Sequence, residues 1–227
     1  MVLSIFFKHK QGGFNKRLYE LYLGLASRGV SVHYVAAERF PLKHENLVPH
    51  VLRTPCSRQE NYVFWAYFLT TAPFLILYLA WKHRADRLVV FEPFYACLCL
   101  PAKWLLGKPL ITFIRSDVAR EYEILGKSWL QRYFNTLVEL IGLKFSNKII
   151  PNSHLLANKL KGRNRLDSAL ISVVPNNIQD QAAPSAAERE ALRAQYGIRK
   201  EEFVVTTAAV FNETKNLSFL INCFSQA

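Results

Sequence analysis

Short apolar runs alternate with longer stretches of helical spacing along most of this chain. Residues 2–7 read as a strand, 8–13 as a loop, and 14–27 as a helix with Leu18, Leu21, Tyr22 and Leu25 along one face. Gly29 ends that helix. The same signals then repeat. Strands are expected at 31–36, 48–52, 87–91, 109–114, 148–150 and 170–174, and helices at 61–81, 95–106, 129–145 and 154–161. Runs that are apolar throughout, such as Leu88-Val89-Val90-Phe91, suit a parallel sheet covered on both faces. The alternation predicts an α/β fold, a doubly wound parallel sheet of Rossmann-like type.

Residues 179–187 are rich in Ala, Gln, Pro and Ser and read as a linker. A short helix at 187–196 closed by Gly197, a strand at 203–210 and a helix at 216–227 follow. One strand and one helix cannot bury their own faces, so this part reads as an incomplete second α/β domain. The expected division is a first domain at 1–180 and the opening of a second at 181–227.

Residues 62–81 carry no charge and are long enough to span a bilayer, with Trp65 and Trp81 near the ends. Pro73 lies mid-segment, and a span there would tear the sheet apart. A helix packed on the sheet is the preferred reading, with its surplus aromatic face free to dip into a membrane surface.

The formal net charge is +12 over 227 residues, and the excess lies before residue 181. Such a surface favours anionic partners: lipid headgroups, phosphorylated substrates or nucleic acid. The basic residues are scattered and no nucleic-acid motif accompanies them, so no nucleic-acid partner is expected. Cys56, Cys97, Cys99 and Cys223 form neither a zinc pattern nor a disulfide framework, which fits a cytoplasmic protein without a bound metal.

Ligands of open α/β sheets bind outside the carboxyl ends of the strands. The candidate chemistry lies at those positions. Gly12 and Gly13 join the first strand to the first helix, as a ligand-approaching loop or simply a tight turn. Glu92 ends one strand. Arg115 and Asp117 follow another, where Arg115 could clamp a phosphate or sugar hydroxyl. Asp117 could accept a hydroxyl hydrogen bond or cap the next helix. Asn152-Ser153 reads mainly as a helix cap and Pro175-Asn176-Asn177 as a turn. No GxGxxG fingerprint follows any strand, which argues against a dinucleotide-dependent dehydrogenase.

In this order the motifs resemble those of the GT-B glycosyltransferases, in particular the retaining group-1 family, family 4. Gly12-Gly13 resembles its N-terminal glycine-rich loop, and Thr112–Asp117 its segment ending in Arg-x-Asp. Ile149–Ser153 is similar to its apolar run ending in Ser. Val173-Val174-Pro175-Asn176-Asn177-Ile178 resembles its hinge, with Asn177 where Gly is usual. Residues 204–210 with Lys215-Asn216-Leu217 resemble the opening of its donor domain, although the expected Gly-Arg falls on Ala209-Val210.

The resemblance implies a hexosyltransferase-like enzyme. It would transfer a sugar from a nucleotide-diphosphate sugar, with retention, to a glycan or lipid-linked acceptor, as in polysaccharide biosynthesis. The nucleotide sugar is a co-substrate, and no cofactor or metal is implied. Asp117 would be the catalytic residue, orienting a donor hydroxyl. Gly12, Gly13, Glu92, Arg115 and Asn177 would bind substrate, and Lys215 would meet the donor diphosphate. The acceptor would bind the first domain. Most of the donor pocket would lie beyond Ala227, so the chain alone would be inactive. A basic, aromatic first domain suits a peripheral position at the cytoplasmic face of a membrane. The competing reading is a non-catalytic α/β module that binds an anionic polymer or membrane surface.

Overall fold

The computed structural model describes residues 1–9, 13–53, 61–176, 183–207 and 215–225, with only the backbone at 13 and 14. The chain divides into two compact units, Met1–Asn176 and Asn177–Ala227.

Among the described residues, the first unit is built on six parallel strands: β1 (Val2–Ile5), β2 (Val32–Ala36), β3 (Leu47–Val51), β4 (Arg87–Phe91), β5 (Leu110–Ile114) and β6 (Lys148–Pro151). Their spatial order is β3-β2-β1-β4-β5-β6. The order reverses between β1 and β4, which makes that place the topological switch point where such sheets bind ligands. Pro49 is tolerated in β3 because β3 is an edge strand.

Among the described residues, six helices accompany the sheet: α1 (Gly13–Ala26), α2 (Tyr62–Lys82), α3 (Pro93–Leu106), α4 (Val118–Ile124), α5 (Trp129–Lys144) and α6 (His154–Asn164). The uncharged segment is α2. It turns Phe64, Phe68, Ala72, Ile76, Leu79 and Ala80 inward, against α3 and β1. That spacing of fours is one helical face. The opposite face stays open, with Tyr62 95%, Phe74 72% and Trp81 67% exposed. By length and composition α2 could also cross a membrane.

Two differences from the sequence reading stand out in this unit. Helix α4 interrupts what reads as a loop, started by Asp117, whose side chain accepts the Arg120 N–H. Residues 170–174 do not form a seventh strand. Ser168–Leu170 is a 3-10 turn capped by Asp167. Beyond it the chain runs beside β6 through one bridge, Ile149 with Ile171, and the N–H groups of Ser172 and Val174 donate to Ile149 and Pro151. Pro151 has no N–H to return, so the ladder stops there.

The second unit carries α7 (Ala186–Gln195) and α8 (Leu217–Ser225). Ser185 and Glu188 form a capping box on α7, and Gly197 follows it with φ 66°. No residue of either helix is buried. The strand expected at 203–210 is absent over 203–207, and 208–210 lie outside the described residues. Among the described residues of this unit there is no second strand for it to pair with.

Candidate functional site

The carboxyl ends of β4 and β5 bring Glu92 and Arg115 together. The Glu92 backbone N–H donates to Phe113 across the strand pair, and Arg115 Nε donates to Glu92 Oε1 at 2.9 Å. Glu92 adopts φ 77° and ψ 146°, a region that non-glycine residues rarely enter. Strain of this kind survives only where packing enforces it, and it gathers at functional sites. The next residue, Pro93, starts α3, and Gly142 of α5 presses on it from the other side. Between them they hold the turn.

The Glu92 carboxyl is mostly enclosed, its side chain 14% exposed. Its Oε2 is buried and accepts no hydrogen bond. Burial pushes its pKa up to about 7, against the opposing pull of Arg115. At neutral pH this group can therefore hold or release a proton. It lines a pocket of about 120 Å³ with Arg115, Ser116 and Asn135. Asn135 Nδ2 is likewise buried with no acceptor. An unmet acceptor and an unmet donor thus line one small cavity, the arrangement that a ligand hydroxyl satisfies.

A second cleft of about 380 Å³ shares Phe94, Asn135 and Val138 with this pocket. Its other walls include Trp65, Tyr95, Tyr122 and Phe134, so it is aromatic. Next to them, α4 and α6 frame an open recess of about 700 Å³ with Arg120, Lys159 and Arg163 in its lining.

Asp117 stands on that recess with both carboxylate oxygens engaged. Oδ1 accepts from Arg163 Nη1 at 2.8 Å, and Lys159 Nζ lies 3.7 Å from Oδ2. Burial would raise its pKa, but the hydrogen bond and charge of Arg163 outweigh it and hold the carboxyl below the ordinary range. Arg163 also forks onto buried Glu139, at 2.8 Å and 2.9 Å, and Asn164 donates to the same carboxylate at 2.7 Å. Asp117 is therefore both a cap of α4 and one end of an Asp117–Arg163–Glu139 chain that ties α4, α5 and α6 together.

Of the remaining residues read from the sequence, Gly13 opens α1. Gly12 and Asn177 lie outside the described residues, as do Ala209 and Val210. Lys215 is exposed and belongs to the second unit. Asn152 donates to the Arg115 carbonyl at 2.7 Å and Ser153 caps α6, so this pair positions the strand ends. Sequence reasoning missed Glu139, Asn135, Arg163 and Arg17. A carboxylate on the inward face of α5, between Val138 and Ile141, was the available signal for Glu139. Arg17 reaches from α1 to the Val174 carbonyl at 2.8 Å and to Asn176, fixing the stretch that leaves the first unit. Nothing in its local sequence marks that role.

The family model for Glycosyltransferase Family 4 matches residues 11–182. No curated protein sequence matches the chain. Among solved structures, HepE of Anabaena in complex with UDP-glucose is similar over 100% of this chain and 57% of its own, with a TM-score of 0.69 and 15% identity. Sucrose-phosphate synthase from Thermosynechococcus elongatus is similar over 99% and 59%, with a TM-score of 0.73 and 16% identity. WaaG, a glycosyltransferase involved in lipopolysaccharide biosynthesis, is similar over 89% and 53%, with a TM-score of 0.60 and 15% identity. The chain thus spans little more than half the length of the structures it resembles. At these identities the likeness establishes the GT-B type of fold.

Proposed function

The chain belongs to glycosyltransferase family 4, and on that footing we propose that it is the acceptor-binding part of an enzyme that moves a sugar, with retention, from a nucleotide-diphosphate sugar to a lipid-linked or polysaccharide acceptor. The UDP-glucose bound to HepE supports a nucleotide sugar as donor. The second unit, by the family resemblance, opens the donor domain, with Lys215 assigned to the diphosphate. No cofactor or metal enters the transfer.

The observation that carries the reading is the pair of neighbouring cavities that share Phe94, Asn135 and Val138. A hydroxyl of the acceptor enters the small pocket, donating to Glu92 Oε2 and accepting from Asn135 Nδ2. An apolar or ring-bearing portion lies in the aromatic cleft. Glu92 can draw on the acceptor proton as the new bond forms, because its pKa of about 7 suits general-base work near neutrality. Asp117, its direction fixed by Arg163, orients a donor hydroxyl.

A cytoplasmic place at the inner face of a membrane fits this acceptor. The outer face of α5 exposes Trp129, Leu130, Tyr133 and Phe134, with Lys127 and Arg132 exposed beside them. Apolar side chains interleaved with cations are what an anionic lipid interface attracts.

The test uses the protein with its donor domain. It is supplied with radiolabelled nucleotide sugars and with lipid-linked or oligosaccharide acceptors. Sugar transfer with unchanged anomeric configuration supports the reading. A Glu92→Gln variant that transfers as well as the wild type, at unchanged acceptor KM, would remove Glu92 from it.

A further inference from the structure

Three histidines converge where β2, β3 and the end of α2 meet. His33 is the second residue of β2, His50 lies near the end of β3, and His83 closes α2 just before β4. One ring nitrogen from each lies within 4.8 Å of those from the other two, and His33 Nδ1 is 2.9 Å from His50 Nε2. His33 is buried, and His50 and His83 are half-buried. We propose that His33, His50 and His83 bind one divalent transition-metal ion of the zinc, nickel or copper class.

The fold places the three without strain. His33 pairs with Val48, and His50 with Val35, so the two histidines sit two positions apart on a parallel strand pair and share one face. His83 is held by its backbone N–H, which donates to the Leu79 and Trp81 carbonyls. It stands at the carbonyl end of a 21-residue helix, where the backbone dipoles favour a cation.

The donor set selects the ion. Three imidazoles without a carboxylate suit zinc, nickel or copper and do not suit magnesium or calcium. Tetrahedral bonds of ~2.0–2.1 Å separate ligand nitrogens by roughly 3.4 Å. The observed spacing brackets that value, so small ring rotations complete the site, with water in the fourth position. The Lys82 ammonium lies over the Tyr78 ring, and Asp86 neutralises the Met1 ammonium through a direct ion pair.

The ion would brace the end of α2 to β2 and β3, away from the cleft. It adds a structural device and leaves the transfer chemistry unchanged.

The experiment uses the full chain freed of metal by a chelator and titrated calorimetrically with ZnCl2. A parallel titration with CoCl2 is followed by visible absorption. We expect one ion per chain, an intense tetrahedral cobalt spectrum, and a higher Tm at saturating zinc. His50→Gln and His83→Gln, both at half-buried positions that leave the core intact, should each weaken zinc binding at least about tenfold and abolish the Tm gain. His154→Gln, exposed on α6, should change neither. The proposal is overturned if the folded wild-type chain takes up no stoichiometric ion, or if both cluster variants bind zinc as the wild type does.

Discussion

A Cβ added to Gly142 would lie 2.4 Å from the carbonyl oxygen of Pro93 and 3.0 Å from its Cα. All of these contacts are backbone, so no rotamer change can relieve them. Helix α5 packs on the start of α3 only because this position has no side chain. Gly142→Ala should therefore destabilise the first unit by roughly 1–3 kcal/mol, the usual cost of overpacking. Urea unfolding with an unchanged m-value checks it. The displaced α3 carries Pro93, so acceptor affinity should fall as well.

Glu92 pays for its place with a positive φ and an enclosed carboxylate. Glu92→Gly removes both burdens, and backbone strain of this kind costs roughly 1–3 kcal/mol. The variant should be more stable than the wild type at about pH 8 by about 1 kcal/mol, once the added chain entropy of glycine is subtracted. It should also lose acceptor binding. A loss of stability would mean that the turn is not strained.

The same carboxyl predicts a pH dependence with a definite sign. Its pKa is about 7 when folded against an ordinary 4.5. The folded state thus binds the proton more tightly, and the stability it contributes is fully present below about 4.5 and lost as pH rises through about 7. The stability difference between wild type and Glu92→Gln should fall across that window and stay flat above it. Denaturant unfolding at about pH 5 and about pH 8 compares the two ends.

Arg163 neutralises Glu139, whose side chain is 6% exposed. Arg163→Met would leave that carboxylate enclosed and should cost about 3–5 kcal/mol. Adding Glu139→Met removes the stranded charge and should recover most of the loss. A double-mutant cycle by thermal or urea unfolding measures the coupling. Additive losses would show that the pair does not act as a unit.

Trp65 and Phe134 wall the aromatic cleft but lie outside the Glu92 pocket. In the protein with its donor domain, Trp65→Ala should raise KM for acceptors with an apolar tail about tenfold, the equivalent of one lost aromatic contact. KM for the nucleotide sugar should stay the same. Steady-state kinetics with long- and short-tailed acceptors separates the two effects.

Much of this was legible in the residues. All six strands stand where short strands were expected, and Glu92 and Arg115 could be placed together because strand ends of an α/β sheet share one edge. What could not be read was pairing at a distance. The strand order places β1 beside β4, and no local signal says so. Residues 170–174 have strand composition, yet a proline in the neighbouring strand denies them a ladder. Asp117 could be read as a cap or as a ligand for substrate. Its cap bond to Arg120 was visible in the local sequence, whereas its partner Arg163 lies 46 residues away and was not. The three-histidine cluster was equally hidden, since His33, His50 and His83 share no spacing pattern.

The central position of β1 bears on how the protein is made. Residues 2–5 leave the ribosome before the other strands and find β2 early, but their other edge waits for β4, where Val2 meets Arg87. In between comes α2, whose buried face meets β1 but waits for α3, which is made only after β4. A growing chain paused near residue 85 therefore carries an open strand edge and a half-covered apolar helix together. That is the stretch of synthesis in which a chaperone would have most to hold.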